Sequence, residues 1–170
     1  MAVKIPKGGL FVSDQAKDAV YFAYGTLLDI EQMHNYCPSA EPAGIMRLKG
    51  YRLGFARCGP DPSVGGCTLV EDAGNVMYGI LYRLPAQELA DLDKASGVDK
   101  GLWAPLPITL IDAREAGIPA NTYIIPTPAG RHQPPESYTR PIFAGAKAWP
   151  LPESYIRQLE QIIRDAQRGE

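Results

Sequence analysis

The residues best placed to do chemistry are Gly25, Thr26 and Leu27, which follow the apolar run Val20-Tyr21-Phe22-Ala23-Tyr24. Asp29 to Met33 then carries the polar–apolar spacing of a helix. A strand passing into a helix through a glycine turn leaves backbone N–H groups without partners, aimed beyond the strand end. Such a turn can cradle an anion or a carbonyl oxygen. It is equally an ordinary strand–turn–helix connection whose amides are met by water or a capping side chain. Groups that could move protons or attack carbon are sparse. His34 lies on the helix after the turn; an imidazole has a suitable pKa, but that helix face turns away from the cradle. His132 falls in a loop without partners, and Cys58 and Cys67 flank a Gly/Pro segment with no histidine to activate them. No spacing among Cys37, Cys58 and Cys67 joins the two histidines in a metal site. Free thiols in a reducing compartment follow, with neither metal nor organic cofactor implied.

The elements that must position the turn come from periodicity. Residues 1–19 carry Gly8-Gly9 and several lysines with little pattern, and are expected to be a tail or a loosely docked edge. Residues 20–167 read as a single domain. Pro38 ends the first helix by biasing Cys37 away from helical angles. Arg47 to Phe55 alternates as a strand, and Cys58 to Gly66 follows as a Gly/Pro loop, expected to be a mobile flap. Cys67–Val70 and Val76–Leu84 read as strands joined by the turn Glu71-Asp72-Ala73-Gly74-Asn75, a hairpin. Pro85–Ala95 reads as a helix with Leu89 and Leu92 on one face, broken by Gly97. Leu102–Asp112 is a strand whose Pro105 and Pro107 imply an edge or bulge, and Asn121–Ile125 is a further strand. After a proline-rich segment, Pro152–Gln167 forms an amphipathic helix with Tyr155, Ile156, Leu159, Ile162 and Ile163 as its stripe. Helices that do not strictly alternate with strands argue for an α+β fold.

Composition narrows the partners. The 170 residues suffice for one domain with a sizeable core. With 17 basic and 19 acidic side chains and no basic cluster, nothing follows a phosphate backbone, so nucleic acid is not expected. No apolar run approaches the roughly 18 residues that cross a bilayer, and Met1 to Gly9 lacks a signal-peptide apolar region. The expected setting is cytoplasmic, away from membranes; the oligomeric state is not legible.

The order of several short motifs resembles the gamma-glutamylcyclotransferase-like (AIG2-like) family. They are Tyr21-Phe22-Ala23-Tyr24-Gly25-Thr26-Leu27, Gly65-Gly66-Cys67-Thr68, Met77-Tyr78-Gly79-Ile80-Leu81-Tyr82, Leu92-Asp93…Gly97-Val98…Gly101-Leu102-Trp103, Tyr123, Pro135-Glu136-Ser137-Tyr138 and Gly145-Ala146-Lys147. The resemblance spans residues 20–161. It implies a small mixed β-barrel with helices packed around it and a small-molecule pocket beside the Tyr-Gly-Thr-Leu turn. It also implies the family's reaction, in which the α-amine of a γ-glutamyl amide attacks the γ-carbonyl, releasing 5-oxoproline and an amine. That chemistry needs the ammonium deprotonated, the oxyanion stabilised and the leaving amine protonated.

By resemblance, Gly25, Thr26 and Leu27 provide the oxyanion cradle. Tyr24, Trp103, Tyr123 and Tyr138 fall near the pocket, although Trp103 and Tyr123 read equally as core packing and Tyr24, on its strand, reads as packing rather than catalysis. Lys147 could neutralise a substrate carboxylate or pair with an acid of the terminal helix. The family's proton-transfer glutamate is replaced here: its position in Leu92-Asp93-Lys94-Ala95-Ser96-Gly97-Val98 is Ser96. A serine hydroxyl is too weak a base for an ammonium without activation. Three outcomes are open: the base has moved to Asp93, Asp99 or Glu71; the reaction has changed to a related amide or lactam; or the chain binds a ligand in the same pocket without catalysis.

Overall fold

The computed structural model describes residues 18–170 together with the strand backbones Val3–Lys4 (β1) and Val12–Ser13 (β2). β1 pairs with β2, and β2 touches β3 (Asp18–Ala23) at Val12 and Ala19. The rest of the segment expected as an N-terminal tail lies outside the described residues.

β3 is the hub. Ala19 to Tyr24 are all buried, so the strand is covered on both faces, which is why it reads as an unbroken apolar run. The neighbour order from β3 is β5 (Gly65–Pro85), β4 (Glu41–Arg57), β6 (Ala104–Ile111) and β7 (Gly117–Ile124). β7 returns to pair with β3 in parallel at Asn121 and Tyr21, closing a mixed five-strand barrel, as the α+β barrel reading expects. Side chains reinforce this short parallel contact: Thr122 Oγ1 donates to Phe22 O (2.8 Å) and Tyr24 Oη to Tyr123 O (2.6 Å).

Among the described residues four α-helices surround the barrel: α1 (Ile30–Tyr36), α2 (Ala86–Ala95), α3 (Glu136–Ala148) and α4 (Glu153–Arg168). α2 buries Leu89 and Leu92, and α4 buries Tyr155, Leu159 and Ile163, the inner part of its apolar stripe.

Two expectations need correction. Glu71 to Asn75 is not a hairpin turn, because β5 runs on through it against β4. Lys49 faces Val76 while Tyr51 faces Glu71, so residues 72–75 stand opposite Gly50 alone as a wide bulge. Gly74 (φ 87°) and Gly50 (φ 85°) supply backbone angles that bulge requires, and Asn75 Nδ2 ties it to Tyr51 O (2.6 Å). The true hairpin tip is the segment expected to be a flap. There Cys58 N–H donates to Val64 O (2.9 Å), Asp61 accepts from the Ser63 amide (2.9 Å), and the flanking Arg57 bonds Ala129 and Gly130.

The second correction is α3, which falls in the segment read only as proline-rich. Pro135 stands at its N-terminus, where a missing N–H costs little, and Pro141 sits inside it. Burial of Thr139, Ile142, Gly145 and Ala146 on one stripe outweighs that internal proline.

Candidate functional site

A 3₁₀ turn, Thr26–Leu28, separates β3 from α1. The first amides of α1 are therefore not those of the turn: Asp29 caps the helix, accepting from the Glu31 amide at 3.3 Å. Within the turn, Leu28 N–H bonds Gly25 O (3.1 Å) and Asp29 N–H bonds Thr26 O (3.4 Å). Among the described residues this leaves the Gly25 and Leu27 amides without a backbone acceptor. The turn is held from behind by α3. A Cβ on Gly145 would come within 2.5 Å of Asp29 N, so only glycine permits this approach, and Trp149 Nε1 donates to Leu28 O (3.1 Å).

Beside the turn lies a cleft of about 180 Å³, smaller than the ~300–1,000 Å³ of drug-sized ligand sites and suited to a small molecule. Gly25, Thr26 and Leu27 form one edge, with Tyr24, Trp103, Tyr123 and Tyr138 around them and Ser96 on the rim of α2. Thus the turn, the four aromatics and Ser96 converge in one place.

One wall is a closed network around Cys67. Its N–H donates to Tyr138 Oη (2.9 Å), and its carbonyl accepts from Trp103 Nε1 (2.9 Å). The Thr26 N–H is directed at the Cys67 sulfur, favouring a thiolate, yet burial outweighs it and pushes the thiol up to about 11. Cys67 is therefore a neutral packing group under the turn. A Cβ on Gly25 would meet its sulfur at 2.8 Å, which accounts for the glycine. Tyr138 belongs to the first turn of α3, and burial raises its phenol well above the ordinary range.

Another part of the lining belongs to a titratable pair. Tyr123 lines the cleft and donates its hydroxyl to Asp93 Oδ1. Burial raises the Asp93 carboxyl and outweighs the Tyr123 hydrogen bond, which lowers it. The same burial, then the neighbouring Asp93, raise the Tyr123 phenol far above its usual range. At neutral pH the phenol keeps its proton and donates it in a hydrogen bond to the carboxylate, leaving an oxygen lone pair free to accept from a ligand.

The other carboxylate candidates lie elsewhere. Asp99 is exposed on the 3₁₀ turn Val98–Lys100, and Glu71 is exposed at the β5 bulge; neither lines the cleft. Lys147 is also exposed and away from it. His34 Nε2 lies 2.9 Å from Ala40 O, closing the loop after α1. Among the described residues no group of three or more His, Cys, Asp and Glu is arranged to hold a metal.

Sequence reasoning missed Tyr21, Tyr36, Cys67, Leu92 and Ala95 as cleft residues. Cys67 had a signal, since consecutive glycines before it imply close backbone approach; Gly66 lacks a side chain where Tyr138 and Trp103 press in. Tyr36, 48% exposed, carried none beyond its place at the end of α1.

Fold and site together define a closed mixed barrel with an aromatic-lined cleft at a strand-end turn. That architecture is shared with a solved gamma-glutamyl cyclotransferase (TM-score 0.79, 24% identity, covering 91% of this chain and 100% of the other). It is shared too with an uncharacterized human protein (TM-score 0.77, 25% identity, covering 85% and 87%). The AIG2-like family profile matches residues 76–159. In sequence the chain is 29% identical to the gamma-glutamylcyclotransferase of Bos taurus, covering 92% of this chain and 85% of that protein. It is 27% identical to that of Mus musculus, covering 88% and 81%. In sequence and in fold the chain resembles the gamma-glutamylcyclotransferase-like (AIG2-like) family. No described helix is long and apolar enough to cross a membrane.

Proposed function

We propose that this protein releases 5-oxoproline from a small γ-glutamyl amide, with Asp93 acting through Tyr123 in place of the glutamate that Ser96 replaces. The observation that carries this reading is the Tyr123–Asp93 hydrogen bond in a cleft that the Gly25–Leu27 turn also lines. The substrate's α-ammonium donates to Tyr123 Oη; as it gives up a proton there, Tyr123 passes its own to Asp93. The freed amine forms the C–N bond to the γ-carbonyl carbon. Charge developing on the carbonyl oxygen meets the Gly25 and Leu27 amides, fixed dipoles that need no reorganisation. As the C–N bond to the leaving group breaks, the proton held on Asp93 and a second proton from the ring nitrogen pass to the departing amine. Asp93 is thereby returned to its carboxylate.

A raised carboxyl suits this work, because a base closer to the operating pH accepts a proton from an ammonium more readily. Ser96, one helical turn beyond Asp93, is left to hydrogen-bond the substrate.

A second reading is a non-catalytic binding module for 5-oxoproline or a similar ligand. It is favoured by one observation: among the described residues no carboxylate itself lines the cleft. Mass spectrometry of 5-oxoproline release from a panel of γ-glutamyl amines and γ-glutamyl amino acids separates the two. Release from at least one substrate is expected; binding of 5-oxoproline with no release from any would establish the module instead.

A further inference from the structure

A second cavity, about 460 Å³, opens where the outer part of the β4–β5 ribbon meets the C-terminal end of α4. Phe55, Val70 and Ile162 give it an apolar wall. Arg52, Arg131 and His132 bring hydrogen-bond donors to it, and Asp165 and Glu170 bring carboxylates.

His132 is the informative residue. It is only 6% exposed, and its Nδ1 is buried against Gly65 with no hydrogen-bond partner among the described residues. A proton on Nδ1 would be buried without an acceptor, so the neutral ring carries it on Nε2 and offers it from the opposite edge, toward the cavity. The arginines keep donors to spare: Arg52 holds Asp72 at 3.9 Å through Nε and donates from Nη1 to Leu53 O (3.3 Å), and Arg131 reaches Gly169 O at 3.4 Å through Nη1, so each has further N–H groups to offer.

We propose that this cavity binds a zwitterionic amino acid with an apolar side chain. Its carboxylate meets Arg52, Arg131 and His132 Nε2–H in charge-assisted hydrogen bonds. Its ammonium lies by Asp165 at the C-terminal end of α4, the end of a helix that favours cations. Its side chain covers Phe55, Val70 and Ile162. A bare inorganic anion would face two carboxylates and leave the apolar wall wet, whereas an apolar acid without an ammonium would leave Asp165 with no cation, only the Gln161 amide that donates to its Oδ1 (2.7 Å).

The cavity also communicates with the cleft. Successive residues of a strand face opposite sides, and here Gly65 faces His132 while Gly66 faces Tyr138 and Trp103. Phe55 packs edge-on against Tyr138 with ring centroids 6.5 Å apart. An amino acid is the amine expelled from a γ-glutamyl amino acid, so under the proposed function, and only under it, this is a site for the reaction's own product.

The test is an NMR titration that follows the imidazole Hε1 of His132, with His34 as internal reference. The probes are L-leucine, L-leucine amide, 4-methylpentanoate and inorganic phosphate. L-leucine is expected to shift His132 saturably and leave His34 unmoved. The amide, the acid and phosphate are expected to bind more weakly by about tenfold or more, and R52Q/R131Q to weaken L-leucine by about tenfold. No His132 shift with L-leucine, equal binding by any other probe, or undiminished binding in R52Q/R131Q would overturn the proposal. Tyr123→Phe separates this site from the cleft. Retained L-leucine binding in that variant supports the second site whether or not 5-oxoproline is ever released; loss of the His132 shift would place the binding in the cleft and sink the proposal.

Discussion

The two walls of the cleft are built to opposite rules. Around Cys67 the polar groups are spoken for by protein: its amide by Tyr138, its carbonyl by Trp103, its thiol held neutral by burial. In another part of the lining the buried Tyr123 donates to the part-buried Asp93, and its oxygen still has a lone pair to offer. The first wall sets shape and holds the turn amides still. Only the second can change its protonation state, so the difference separates the residues that fix the site from those able to run a reaction.

Tyr123→Phe is the sharpest way to break that contrast. It removes the link between cleft and carboxylate, and kcat for 5-oxoproline release should fall by about 10²–10⁴-fold in steady-state assays. Gly25→Ala attacks the shaping wall, since its Cβ would stand 2.8 Å from the Cys67 sulfur and 3.1 Å from its Cβ. Denaturant melts should show a loss of about 1–3 kcal/mol, restored in large part by adding Cys67→Ala. A single variant as stable as wild type would mean that the turn can shift away from β5.

Tyr138→Phe leaves the Cys67 amide without its partner, a stability cost of about 1–3 kcal/mol by the same melts, with a smaller fall in kcat than Tyr123→Phe gives. Equal falls would erase the distinction between the walls. The mildest effect concerns pH. A base must be ionised to act, so activity is lost as pH falls through the Asp93 pKa; because burial raises that value, the acid limb of kcat should lie above the ~3.9 of an ordinary aspartate. A limb at or below that value would mean that Asp93 is not the group being titrated.

Much of this geometry was legible in the sequence, and what was hidden has physical causes. The Tyr24–Leu27 turn could be read because β3 is buried on both faces and its glycine closes against a neighbour. α2 and α4 declared themselves through one-sided apolar stripes. α3 did not, because prolines at 135 and 141 look like breaks unless one knows what its stripe packs against. Glu71 to Asn75 has the chemistry of a turn, and its glycine is used as one would be, but β4 lies alongside and turns it into a bulge. Asp93 was only one of three acids. Its place in the last turn of α2, where a negative charge opposes the helix dipole, is a hint of use that only contact with Tyr123 turns into an argument.

The most direct test compares steady-state 5-oxoproline release by wild type, Asp93→Asn and Asp93→Asn/Ser96→Glu, with 5-oxoproline affinity measured for each. The account predicts that Asp93→Asn loses about 10²–10⁴-fold in kcat while retaining affinity, and that a glutamate at position 96 recovers part of the loss by placing a base on the cleft rim. Turnover by Asp93→Asn at the wild-type rate would contradict it.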